Sequence, residues 1–129
     1  MSRAKSLLAS LTFAAGVSGV LLAPTALADA AVATMAGIVM TLQHFPSDAD
    51  KATLATIAGS DASASVKAVA NAIAAIRHSV SADDRATLEA IAADQAEPDD
   101  LRALARVVAG INHMPSADDK AALMALTGS

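Results

Sequence analysis

The hydrophobic positions of this chain follow one rhythm three times. Counting back from His44, apolar residues fall at Leu42, Val39, Met35 and Val32. From His78 they fall at Ile76, Ile73, Val69 and Val66. From His113 they fall at Ile111, Val108, Leu104 and Leu101. Steps of three and four put each set on one face of an α-helix, and the period of two that strands need is absent. After each His comes a short polar stretch and then a second, shorter apolar pattern: Leu54/Ile57, Leu88/Ile91 and Leu123/Leu126.

The polar stretch repeats as well. Gln43 to Lys51, Arg77 to Arg85 and Asn112 to Lys120 align by eye, with the histidines 34 and then 35 residues apart. That period lies in the range of two-helix repeat units. Each unit then reads as a helix, a tight turn and a second helix. Ser47, Ser81 and Ser116 open the second helix, and Asp50, Asp84 and Asp119 follow three positions later. A Ser oxygen there accepts from an orphan first-turn amide, and a carboxylate three residues on suits the positive helix end. Pro46 and Pro115 stiffen the approach to the cap. At the links between units, Gly59 suits a helix C-cap, Asp94 a helix end or turn, and Glu97-Pro98-Asp99-Asp100 an acidic first turn.

The resulting expectation is an all-α fold of six short helices, near 30–44, 47–58, 63–78, 81–93, 98–113 and 116–127. They form three helix-turn-helix repeats of about 34–35 residues, packed as a small bundle or a short solenoid. The period resembles that of tetratricopeptide-like units in length alone. Their aromatic and Gly signature is missing, so the likeness concerns shape and carries no function.

The first 28 residues break the pattern. Arg3 and Lys5 precede a largely apolar run from Leu7 to Leu22, then Pro24 and the small-x-small sequence Ala26-Leu27-Ala28. This is the layout of a secretory signal peptide, cleaved after Ala28, rather than of a retained anchor: the run is short and interrupted by Gly16, Ser18 and Gly19. The expectation is export, to the periplasm or beyond the cell, with residues 29–129 as the helical repeat domain.

Composition narrows the chemistry. The whole chain carries a net charge of -4, and loss of Arg3 and Lys5 leaves 7 basic against 13 acidic residues, or -6. An acidic domain of this kind does not seek a nucleic-acid backbone or anionic lipid. No later stretch is apolar enough to span a membrane, so no stable insertion is expected after cleavage. The absence of Cys removes disulfides, thiolate nucleophiles and sulfur-built metal sites. Phe13 and Phe45 are the only aromatic residues of the Phe, Trp and Tyr class. Alanine is the commonest residue. It favours helix and close helix approach but leaves a thin core, so self-association is one expected source of stability.

Three residues recur with useful chemistry: His44, His78 and His113. As turn residues they suit the last turn of the odd-numbered helices, where imidazole donates to an orphan carbonyl. As a ligand set they suit Zn, Cu, Ni or haem iron. In an open stack, equivalent positions lie about 10 Å apart per helix–helix spacing, so one zinc does not reach all three. A closed bundle could bring two together, with help from Asp48, Asp83 or Asp118, and Met114 and Met40 lie close in sequence for copper or haem. The acidic pairs Asp83-Asp84 and Asp118-Asp119 lack the alternating oxygens and central Gly of a calcium loop.

No catalytic activity is expected. There is no nucleophile elbow, phosphate loop, His-Glu-x-x-His or dinucleotide fingerprint, and the cap hydroxyls are engaged with backbone. No cofactor is required by the pattern. The first functional expectation is an exported binding or structural module, acting through contacts with a partner protein or with itself. The alternative is a small periplasmic metal- or haem-binding protein using the three histidines. Phe45, Val80 and Met114, in matching turns, serve either expectation: as an apolar edge for a partner, or as staples packing on the next helix.

Overall fold

A computed structural model describes residues 30–128 of the chain. The leader expected over 1–28 lies outside the described residues. Within them there are six helices: α1 over 30–40, α2 Asp48–Ala58, α3 Ala64–Ala74, α4 Ala82–Ala93, α5 Asp99–Ala109 and α6 Ala117–Gly128. Extended pairing among the described residues is confined to isolated bridges at the turns. The chain folds as an all-helical, compact bundle.

The odd and even helices do different work. The odd helices carry the inner core. α1 and the turn behind it bury Val32, Met35, Ala36, Ile38, Val39 and Leu42, and α3 and α5 bury the equivalent sets ending in Ile76 and Ile111. The even helices bury much less: Leu54 in α2, Leu88, Ile91 and Ala92 in α4, and Leu123 and Leu126 in α6. A helix buried along one narrow stripe is held by packing rather than by its own propensity. α3 touches α5 directly, as two members of an inner layer.

Two of the even helices, α2 and α4, pack most closely on the odd helix that follows in sequence. α2 lies along α3 and α4 along α5, whereas α3 touches α4 less extensively. The tightest hairpins are therefore those joined by the links, while the His-containing turns join helices of neighbouring hairpins. Alanine permits the close approach, and a long side chain closes one end of the α4–α5 pair. Arg85 Nη1 donates to the Ala109 carbonyl at 2.6 Å, occupying an orphan acceptor at the end of α5.

The caps form as the sequence pattern dictates. Ser47 Oγ accepts from the Asp50 amide at 3.0 Å, and Asp50 Oδ2 accepts from the Ser47 amide at 3.4 Å. Ser116 and Asp119 repeat this reciprocal box. Ser81 accepts from Asp84, and Ser63 opens α3 by accepting from Val66. Gly59 ends α2 with φ −92°, so it serves as a cap without needing the left-handed region. Among the described residues no helix is long and apolar enough to cross a membrane.

Candidate functional site

The helix periodicity predicted odd helices running through to each His. They stop earlier, at residue 40, Ala74 and Ala109. Leu42, Ile76 and Ile111 continue the apolar spacing beyond the helix end because the chain still turns inward there to bury them. The histidines lie four residues past the last helical residue, on a backbone of a different kind.

All three occupy the left-handed region, with φ of 71° at His44, 70° at His78 and 74° at His113. They are the only non-glycine residues of positive φ among those described. His is one of the few residue types enriched there, yet each such residue still carries strain of order 1–3 kcal/mol. Across His44 the Phe45 amide donates back to the Gln43 carbonyl at 2.8 Å, closing the rarer, strained form of three-residue turn.

The strained turns are bonded to one another. The His44 amide donates to the His113 carbonyl at 2.6 Å, the His78 amide to the His44 carbonyl at 2.6 Å, and the His113 amide to the His78 carbonyl at 2.5 Å. These bonds run in one direction around a closed cycle, with one residue from each repeat. The array is therefore a ring about a pseudo-threefold axis at this end, and the open stack is ruled out. Each turn satisfies its central amide and carbonyl only through its two neighbours, so the positive φ aims both groups sideways around the axis.

The same geometry gathers the side chains. The imidazole centroids of His44 and His78 are 5.1 Å apart, those of His44 and His113 5.2 Å, and those of His78 and His113 5.1 Å. His44 meets each of the other two rings edge to face, at 81°, and the rings of His78 and His113 are tilted at 60°. His44 is half-buried; His78 and His113 are exposed. The bundle thus brings together all three histidines, not two. His113 Nδ1 lies 2.8 Å from Asn112 Oδ1, within hydrogen-bond distance. With the rings as they stand, no group of three or more His, Asp or Glu among the described residues is disposed to hold a metal ion.

The other sequence candidates sort themselves around this axis. Asp48, Asp83 and Asp118 are exposed in the first turns of α2, α4 and α6, where carboxylates favour the positive helix end. Met40 is half-buried on α1. Phe45 and Met114 are 58% and 46% exposed, whereas Val80 is buried at 5%. The difference is one of register. Val80 aligns with the buried Pro46 and Pro115, directly before the caps, while Phe45 and Met114 align with Ser79. The packing role falls to the first set and the outward-facing role to the second.

Sequence reasoning missed the left-handed turns and the closure they make. The signal available was a non-helical His followed by a cap, three times over, a residue type tolerated at positive φ. Comparison with family models, with curated proteins and with solved structures finds no match for this chain.

Proposed function

We propose that this is an exported, non-catalytic protein that captures a divalent transition-metal ion through His44, His78 and His113. The observation that carries the reading is the mutual centroid spacing of 5.1–5.2 Å among three imidazoles drawn from three separate repeats. Zinc–imidazole bonds are about 2.0–2.1 Å, which puts three rings arranged tetrahedrally about one ion with their centres about 5 Å apart. Loading such an ion asks the rings to turn in place about their side-chain bonds, not to approach one another. The backbone supports the same reading. A turn alone is made more cheaply by Gly, but the chain carries His at the left-handed position in every repeat.

The odd helices end near this axis and the even helices begin there, their positive ends answered by Asp83, Asp84, Asp118 and Asp119 in the first turns of α4 and α6. Imidazole nitrogens without thiolates suit Zn, Co, Ni or Cu(II) over softer or harder ions. Three protein ligands leave coordination positions open, so the ion is exchangeable rather than a sealed structural centre.

Titration with Co(II) and Cu(II), read by visible absorption and calorimetry, tests the proposal. The chain has no Trp, Tyr or Cys to interfere with the spectra. The expected result is one ion per chain, with affinity falling by about tenfold or more in each of His44→Ala, His78→Ala and His113→Ala. Absence of saturable binding by the folded protein, or binding unchanged in all three variants, overturns it.

A second reading, contact with another protein, is favoured by the exposure of Phe45 and Met114 on the same face. Phe45→Asp with Met114→Asp separates the two. It abolishes a protein contact made there and leaves the metal stoichiometry intact.

A further inference from the structure

At the end of α1 and α2 opposite the histidine turns lies a cleft of about 380 Å³. Ala30 and Ala31 line it from α1, Thr53, Thr56 and Ile57 from α2, and Ala62 from the link that follows, and no lining residue carries a charge. Thr53 and Thr56 commit their hydroxyls to the Ala49 and Ala52 carbonyls of their own helix. The cleft therefore offers mainly methyl groups.

The second repeat straps the matching cleft shut. There Ser65 of α3 donates to Glu97, the residue before the cap of α5, and both line the cleft. At the same positions the first repeat has Ala31 and Ala62, which cannot form that strap. The effect shows in burial. Ile57, Ile91 and Leu126 match one another across the repeats; Ile91 and Leu126 are buried, and Ile57 is only half-buried. An uncharged cleft left open in this way suits an apolar occupant, and its volume lies at the low end of small binding sites.

We infer that the occupant is the chain's own leader, with Leu21 and Leu22 seated between α1 and α2 in the uncleaved protein. The chain enters α1 at Ala30, itself a wall of the cleft. The seven residues Ala23 to Asp29 reach at most about 25 Å, enough to turn back from that wall and short enough to keep Leu22 beside it. A tether of this length gives an effective concentration of order millimolar, an advantage that a free partner or a second copy lacks. The charges agree as well: Ser6 to Ala28 carries none, like the cleft. The uncleaved chain thus shelters part of its apolar leader from water, and cleavage after Ala28 uncovers the cleft beside the new N-terminus. None of this depends on the histidines or on a metal.

The experiment uses the full chain, made by cell-free translation so that the Ala28–Asp29 bond stays intact. The chain has no Cys of its own. Leu22→Cys is combined with Thr56→Cys, inside the cleft, or with Ala55→Cys, its exposed neighbour on α2 outside the cleft lining. Under mild oxidation the Thr56 pair should close an intramolecular disulfide about tenfold faster or more than the Ala55 pair. Ala31→Ser with Ala62→Glu transplants the strap of the second repeat and should lower the Thr56 rate to that of Ala55, with the helical circular dichroism retained. Equal rates at Thr56 and Ala55, or a Thr56 rate unchanged in the folded strapped variant, overturn the inference. Disulfides that join two chains instead of closing one assign the cleft to a second copy and overturn it too. The comparison of Thr56 with Ala55 decides by itself where the strapped variant does not fold.

Discussion

The turns that hold the histidines and the links at Gly59–Ser63 and Asp94–Pro98 perform the same task of reversing the chain between helices, yet they are built oppositely. At the first link the hydrogen bonds are local: Gly59 to Ala55, Ser60 to Ile57, and Ala62 to the Ser60 hydroxyl. At the second, Asp94 holds the Ala96 amide, and Glu97 reaches one distant partner, Ser65. The His turns bond chiefly to each other, each to both of its counterparts. A link that satisfies itself is free to vary, and the two links differ in sequence. A turn that must fit two copies of itself is not free, and the three turns are nearly alike. Sequence repetition in this chain therefore marks the place where repeats meet, more than the helices that carry them.

The largest difference should appear where the two regions meet the core. Ile111, 1% exposed, sits directly behind a His turn, while Ile57 is half-buried at the first link. Ile111→Ala should cost about 2–5 kcal/mol. Ile57→Ala should cost under about 2 kcal/mol, since part of its surface is already in water. Urea denaturation with an unchanged slope measures both. Equal losses at the two sites break the comparison, because the turns are then no more tightly seated than the links.

The caps should show no such contrast. Ser81 opens α4 on the turn side and Ser63 opens α3 on the link side, and each accepts one first-turn amide, at 3.1 and 3.2 Å. Ser81→Ala and Ser63→Ala should each cost about 1 kcal/mol. A loss at Ser81 well beyond that, read from the same denaturation curves, sharpens the comparison by tying the cap to the ring of turns rather than to its own helix.

These contrasts also explain what the sequence could reveal. Steps of three and four exposed the inner faces of α1, α3 and α5, and Ser47, Ser81 and Ser116 fixed the starts of the even helices, because both are local effects. The ends of the odd helices were overrun, since Leu42, Ile76 and Ile111 keep the helical spacing after the helix has stopped. The pairing of α2 with α3 and of α4 with α5 cuts across the repeat as the sequence displays it. Closure was illegible for a different reason. The amide of His44 finds its acceptor at His113, 69 residues away, and no local rhythm encodes a bond between copies. The three histidines were visible as candidates, but their convergence depends on that closure.

The smallest expected effect is also the most specific, because its sign reverses between the two regions. His78 lies at φ 70°, where a Cβ is strained and Gly is not. His78→Gly and His78→Ala both remove the imidazole, so the difference between them isolates the backbone. The Gly variant should be the more stable by about 1 kcal/mol, opposite to the usual order of Ala over Gly. At the link, Gly59 has φ −92°, and a Cβ there meets the Ala55 carbonyl oxygen at 3.4 Å, an ordinary contact. Gly59→Ala should be neutral or stabilise by up to about 1 kcal/mol, by narrowing the unfolded ensemble. Thermal and urea unfolding of the three variants checks both signs. If His78→Ala proves as stable as His78→Gly, the left-handed turn is not strained. The repeated His would then need no function beyond the turn to account for it.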